Sequence, residues 1–263
     1  MNNHVWLFMV GAMLIIGASW QPVSRAAVYA YEDASFALRP SAQYAFELGN
    51  KHFRANDASS YDITRAKHFY FKAVEIDVDH PMVLQQIART SFVEGNIDGA
   101  LAQINLQLTR HPDSNASAYY IRALVLGFMK RYEEAARDYE HFIRLDPTLW
   151  PAYNDLAWVH MQSGNFDGAV EAAEQGLVLA PDNAWLLGMK STALFELGRY
   201  EDALRVGKQA VDATDALTAK QWVVMYPGND PATISTGIAA LKKANRENLL
   251  KFEAKVAEPA SAK

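Results

Sequence analysis

The chain of 263 residues contains no cysteine. That absence removes a disulfide framework, a thiolate-ligated zinc or iron–sulfur site, a thiol nucleophile and a cysteine-linked lipid anchor. It leaves the redox compartment open, because a cysteine-free protein tolerates either. An excess of positive charge is also lacking: 25 Lys and Arg stand against 30 Asp and Glu, a formal net charge of −5, which argues against nucleic acid as a partner. There is no glycine-rich phosphate loop and no GxSxG nucleophile elbow. His52, His68, His80, His111, His141 and His160 form no HExxH, HxH or i, i+4 arrangement, so no metal site is expected. The paired acids Glu133-Glu134 and Glu201-Asp202 open helical stretches, where the helix dipole accounts for them without acid–base chemistry. No nucleophile, base and orienting group can be assembled, so the chain reads as not an enzyme, with no cofactor and no small-molecule substrate. What is present is an ordinary globular composition, 50% apolar and 21% charged.

A long apolar run occurs once, from Val5 to Trp20, and carries no charge. At 16 residues it is slightly shorter than the roughly 17 to 25 needed to span a bilayer. It suits the core of a secretory signal better, and Ser24 and Ala26 offer a cleavage site after Ala26, with a second after Ala30. No Lys or Arg precedes the run, where export signals normally carry a basic segment. Residues 1–26 are therefore expected to be a signal peptide or membrane anchor. They would place the protein at the periplasm or extracytoplasmic face, exported or anchored, with a membrane contact through residues 5–20. Residues 27–40 read as a linker.

The rest is organised by a repeat, the feature to seek before any other. Segments of similar pattern begin at Ala66, Ala100, Ala135, Ala169 and Ala203, at separations of 34, 35, 34 and 34. A second column of small residues runs Gly49, Ala88, Ala123, Ala157 and Ser191. The columns stand 17 residues apart in the first unit and 12 in the others, so the first carries a five-residue insertion around Asn56 to Tyr61. Each unit reads as two amphipathic helices around a polar break such as Glu94-Gly95-Asn96 or Ser163-Gly164-Asn165. Pro112, Pro147 and Pro181 end the second helices, because proline lacks a donor and disfavours helix in the residue before it. Small residues in both columns let the paired helices approach closely. Ile97, Tyr132, Phe166 and Tyr200 follow the breaks, where they can plug the seam.

These columns resemble the tetratricopeptide repeat (TPR) family, most fully in YYIRALVLGFMKRYEEAARDYEHFIRLDP and YNDLAWVHMQSGNFDGAVEAAEQGLVLAP. The resemblance covers about Ser41 to Asp215; Gln107 and Phe142 depart from the usual small residue, Val78 and Asp215 from the closing proline. It implies an all-α fold, a right-handed α-solenoid of five TPR helix pairs over residues 41–215. Residues 216–256 then read as a capping helix pair and 257–263 as a disordered tail. Asp230-Pro231 is a helix start signal, and Ile234, Ile238, Leu241, Leu249 and Phe252 form its apolar stripe, flanked by Lys242, Lys243, Arg246, Lys251 and Lys255. A terminal repeat needs such a polar outer face; a basic helix lying on an anionic membrane is the other reading.

Carrying the family's register onto this chain puts Phe46, Asn50, Phe53, Arg54, Gln85, Arg89, Phe92, Tyr120, Leu124, Phe128, Asn154, Trp158, Met161, Met189, Thr192 and Phe195 on the concave face. Aromatics mixed with amides suit a peptide anchored by apolar side chains, though helical spacing alone leaves each aromatic equally a candidate for inter-helix core. The cationic clamp by which one subgroup binds chaperone tails is absent: Asn50 matches, but Phe46, Gln86, Ser117 and Ile121 hold its other positions. The resemblance thus implies a non-enzymatic scaffold binding a protein or peptide partner, with envelope assembly as a family-level association. The alternative is an accessory subunit holding a catalytic partner of a cell-envelope enzyme complex.

Overall fold

The computed structural model describes residues 24–53, 61–112, 116–225 and 230–258, and every regular element among them is helical. After α1 (Arg25–Leu38) come five helix pairs: α2 (Ala42–His52) with α3 (Ile63–Ile76), α4 (Val83–Val93) with α5 (Ile97–Arg110), α6 (Ala116–Phe128) with α7 (Tyr132–Leu145), α8 (Trp150–Ser163) with α9 (Phe166–Leu179), and α10 (Ala184–Glu196) with α11 (Tyr200–Asp215). Each helix packs on its partner, and the second helix of each of units one to four packs on the first helix of the next unit, so the chain is an α-solenoid. Among the described residues no helix is long and apolar enough to cross a membrane. The run Val5–Trp20 lies outside them.

Local chemistry sets the boundaries. The side chains of Ser41, Asp62, Asn96 and Asn165 each accept a hydrogen bond from the amide three residues on, and Asn183 accepts from Trp185 and Leu186, satisfying donors that a helix start leaves open. The second helices of units two, three and four stop at Arg110, Leu145 and Leu179, two residues before their prolines. At the turn inside units two to five one residue has positive φ: Gly95 at 80°, Lys130 at 61°, Gly164 at 79° and Gly198 at 76°. Only Lys130 bears a side chain there.

Both small-residue columns are buried at the seams. Ala66, Ala100, Ala135, Ala169 and Ala203 have no exposed surface, as have Ala88, Ala123 and Ala157, while Gly49 and Ser191 are buried with them. A Cβ at Gly49 would collide with the ring of Tyr70. Gln107 and Phe142, the departures within the second helices, are both buried: Gln107 Nε2 donates to the Pro81 carbonyl at 2.8 Å, and the Phe142 ring sits 5.3 Å from Tyr120. In the first unit the two helices are separated by residues 53–62, of which 54–60, and with them most of the expected insertion, lie outside the described residues. The ends of that stretch are tied by the Asp62 amide, which donates to the His52 carbonyl at 2.9 Å.

Residues 27–40, expected to be a linker, lie mostly in α1. The helix docks on unit one through polar atoms and through Phe36, whose ring lies 6.1 Å from Phe69 and 6.4 Å from Tyr44. Glu32, 3% exposed at its side chain, receives Lys51 Nζ at 2.6 Å and meets His52 Nε2 at 2.8 Å and Arg65 Nε at 3.6 Å. Tyr29 donates to Asp62 at 2.6 Å, and the Arg65 guanidinium lies over the Tyr29 and Phe69 rings. Burial pushes the Glu32 carboxyl up, but Lys51 and His52 outweigh it and hold the group below its ordinary value.

At the other end α12 (Ala219–Met225) is followed by a 3₁₀ turn (Pro231–Thr233), for which Asp230 is the N-cap, and by α13 (Ile234–Ala257). α13 packs along α11 with Phe252 buried between Phe195 and Gly207. Three of its cations are paired with unit five, Arg246 with Asp215 at 2.9 Å, Lys242 with Asp215 at 3.7 Å and Lys251 with Glu196 at 3.4 Å, while Lys243 and Lys255 pair with Glu247 and Glu258 of their own segment. That pairing fits a terminal cap better than a membrane-surface helix.

Candidate functional site

The first helices of units one to three converge on one cavity of about 370 Å³, lined mainly by carbon. Seven residues expected on the concave face line it: Phe53 at the end of α2, Gln85, Arg89 and Phe92 on α4, and Tyr120, Leu124 and Phe128 on α6. The i, i+3, i+4 spacing puts each set on one helix face, and the repeat brings the faces together. Phe92 and Phe128 meet edge to face at 4.8 Å and 89°, and Phe128 is 59% exposed, so this pair forms the open rim. Toward the interior the Arg89 guanidinium stands 5.0 Å over the Phe53 ring and donates to Gln86 Oε1 at 3.0 Å, while Gln85 Nε2 donates to Ser117 Oγ at 2.8 Å. Burial lowers the Arg89 pKa from its ordinary value.

The cavity also holds an acid. Tyr120 donates to Asp155 Oδ2 at 2.6 Å and Asn154 Nδ2 donates to Oδ1 at 3.3 Å. Desolvation nonetheless pushes the Asp155 carboxyl up to about 6, since two neutral donors compensate only part of the lost water. The site therefore offers a small apolar chamber with an open aromatic rim and few polar groups, the composition of a pocket for an anchoring side chain.

The remaining expected residues do not line this cavity. Phe46 packs between Tyr70 and His80, and Asn50 accepts from Tyr70 and Gln86. Asn154 is buried, with Oδ1 lacking a partner. Trp158 lies between Phe128 and Tyr132, and Met161 and Met189 pack against the apolar cores of units three to five. Thr192 donates to the Gly188 carbonyl and accepts from Asn248, while Phe195 stacks on Phe252 at 5.0 Å under the Lys251 ammonium. The C-terminal end of the expected surface is thus covered by α13. Arg54 lies outside the described residues. Val93, Ser117, Ile121, Asp155 and Met225 line the cavity without having been expected there. Ser117 and Ile121 each lie one helical step from expected residues, whereas nothing local to Met225 signals its place.

Among the described residues no cluster of His, Asp and Glu could hold a metal ion. A family model described as tetratricopeptide repeat matches residues 123–184 and 154–217. The matched stretch, from the first helix of unit three to the end of unit five, is similar to the tetratricopeptide repeat family. No curated protein matches the chain. Among solved structures, "Crystal structure of MamA protein" is 20% identical, with TM-score 0.56 over 66% of this chain and 92% of that one. "MamA 41-end from Desulfovibrio magneticus RS-1" is 15% identical, with TM-score 0.58 over 66% and 96%. "Crystal structure of YrrB: a TPR protein with an unusual peptide-binding site" is 17% identical, with TM-score 0.56 over 69% and 91%. At these identities the likeness is one of fold.

Proposed function

We propose that the concave cavity of units one to three binds a protein segment through an apolar anchor side chain. The observation that carries this reading is the convergence of seven side chains from three successive units on one largely apolar chamber with Phe92 and Phe128 at its mouth. The solved TPR protein described as having a peptide-binding site supports it by analogy of fold. The test starts by cross-linking the protein in its own cell and identifying the captured partner by mass spectrometry. Affinity is then measured for Phe92→Ala and Phe128→Ala. Loss of a buried aromatic anchor costs about 2 kcal/mol or more, roughly a 30-fold drop in affinity. Unchanged affinity in both variants contradicts the reading.

The same proposal sets the module at the outer side of a membrane, exported or anchored, in envelope assembly. Its support is the uncharged run Val5–Trp20. Fractionating cells that express the full chain and a variant lacking residues 5–20 tests it. The shortened chain is expected to lose its exported or membrane-associated fraction, and an unchanged distribution contradicts the assignment.

A further inference from the structure

One wall of the cavity carries a carboxyl without a countercharge. Asp155 lines the chamber from α8, is half-buried, and accepts hydrogen bonds from Tyr120 at 2.6 Å and Asn154 at 3.3 Å, both neutral donors. α6 and α10, which both pack on α8, carry one cation each, and those cations are engaged elsewhere: Arg122 pairs with Asp138 at 2.6 Å and Lys190 with Glu174 at 2.8 Å. α9 carries no cation, and the group of α7 that interacts with Asp155 is the neutral phenol of Tyr139. Among the described residues no ion pair reaches Asp155. The cation of the chamber itself, Arg89, enters from α4 on the other side of α6, where its guanidinium lies over Phe53 and donates to Gln86. The chamber is thus positive where units one and two meet and acidic at unit four.

Resting on the reading of this cavity as the partner site, we propose that the segment it takes presents a lysine beside its apolar anchor, with the lysine ammonium on the Asp155 carboxylate. A carboxylate drawn out of water against neutral donors alone is costly to keep, and an amide of the same shape would serve Tyr120 equally as an acceptor. What the acid offers beyond the amide is a charge, fixed in place by two hydrogen bonds and already desolvated, which an arriving cation meets with little further ordering. The walls choose among cations. An unbranched lysine stem covers apolar surface such as Leu124 and Phe128 while its compact tip stays polar. Arginine brings a planar fork of donors, and Gln85 and Ser117, the amide and hydroxyl of the lining, are already bonded to each other. The rings of Phe92, Tyr120 and Phe128 line the same chamber and attract a cation through their faces.

The probes are hexylammonium, hexanol and hexanoate, which share one stem and differ at the tip, titrated by calorimetry into the full-length chain and into its Asp155→Asn variant. At neutral pH the unaltered protein is expected to bind hexylammonium about tenfold more tightly than hexanol, and the variant to bind the two equally. Hexylammonium that binds no more tightly than hexanol overturns the proposal, as does hexanoate that binds as tightly as hexylammonium or an ammonium preference that survives in the variant. Should the variant fail to fold, the unaltered protein gives the reading alone. Its Asp155 carboxyl, raised to about 6, gains charge as pH rises, so hexylammonium affinity should increase severalfold from about pH 5 to about pH 7.5 while that of hexanol stays level. A level hexylammonium profile overturns the proposal. Either failure leaves the Phe92 and Phe128 affinity test on the captured partner standing, and loss of that test leaves the ammonium preference measurable, so the two readings fail separately.

Discussion

Tyr120 donates a 2.6 Å hydrogen bond to Asp155, tying the first helices of units three and four together across the wall of the cavity. Tyr120 is thus both lining and support, its ring also packing edge to face on Tyr139 at 5.5 Å. Truncating it is expected to cost stability as well as partner affinity, unlike truncating the exposed Phe128.

Asp155 carries a pH dependence of definite sign. Its carboxyl is raised to about 6 by desolvation, so between the unfolded value near 3.8 and 6 the folded state binds the extra proton. Its contribution to stability falls as pH rises through that window, by on the order of 2 to 3 kcal/mol in all. Asp155→Asn keeps an acceptor for Tyr120 and removes the charge. The variant should be more stable than the parent at pH 7 and closer to it at pH 4. Urea melts of both proteins across pH 4 to 7 check this, and subtracting the curves cancels His80 and His160, whose lowered values act with opposite sign. Parallel curves contradict it.

The turn of unit three is predicted to be improvable. Lys130 adopts φ 61°, where its counterparts are Gly95, Gly164 and Gly198. An L side chain there costs about 1 to 2 kcal/mol, partly offset by the smaller unfolded entropy of a non-glycine residue. Lys130→Gly should raise stability by about 0.5 to 1 kcal/mol and Gly164→Ala should lower it by about 1 kcal/mol. Urea midpoints of the two variants test the pair.

The seams should resist enlargement. Ala135 and Ala169 have no exposed surface, so Ala135→Leu and Ala169→Leu must force the paired helices apart at a cost of about 1 to 3 kcal/mol. Denaturant melts that match the parent in both variants would show that these positions do not set the helix approach.

The docking of α1 should depend on Glu32. Glu32→Ala leaves the buried His52 and the Arg65 guanidinium without their shared carboxylate, at a cost of about 2 to 3 kcal/mol after discounting the half-exposed Lys51. Because the Glu32 value is lowered on folding, this stabilisation is present above the carboxyl's ordinary range and lost as pH falls through the folded value. Hydrogen exchange should accelerate across residues 25–38 while that of α6 to α9 is unchanged. Uniform acceleration contradicts a local role.

The repeat made the fold legible in the sequence, because spacings of 34 and 35 residues record which side chains must meet at each seam, and every member of both columns is buried. α1 was not legible, since its docking face mixes Glu32 and Tyr29 with Phe36 and meets Arg65 of unit one, too few apolar residues to show a period. The site was legible in its first three units, where register alone carries Phe53, Arg89, Phe92 and Phe128 to one cavity. Beyond them it was not, because Thr192 and Phe195 are covered by Asn248 and Phe252 of α13, and Met225 arrives from outside the repeat. Long-range coverage of that kind has no periodic trace.

The central claim is that the cavity bounded by Phe92 and Phe128 is where a partner segment binds. A photo-crosslinking amino acid placed at position 128, and separately at Val178, which is 81% exposed on the second helix of unit four, tests it in the protein's own cell. The account predicts a discrete partner adduct from position 128 and none from position 178. An adduct of the same partner from position 178 alone would contradict it.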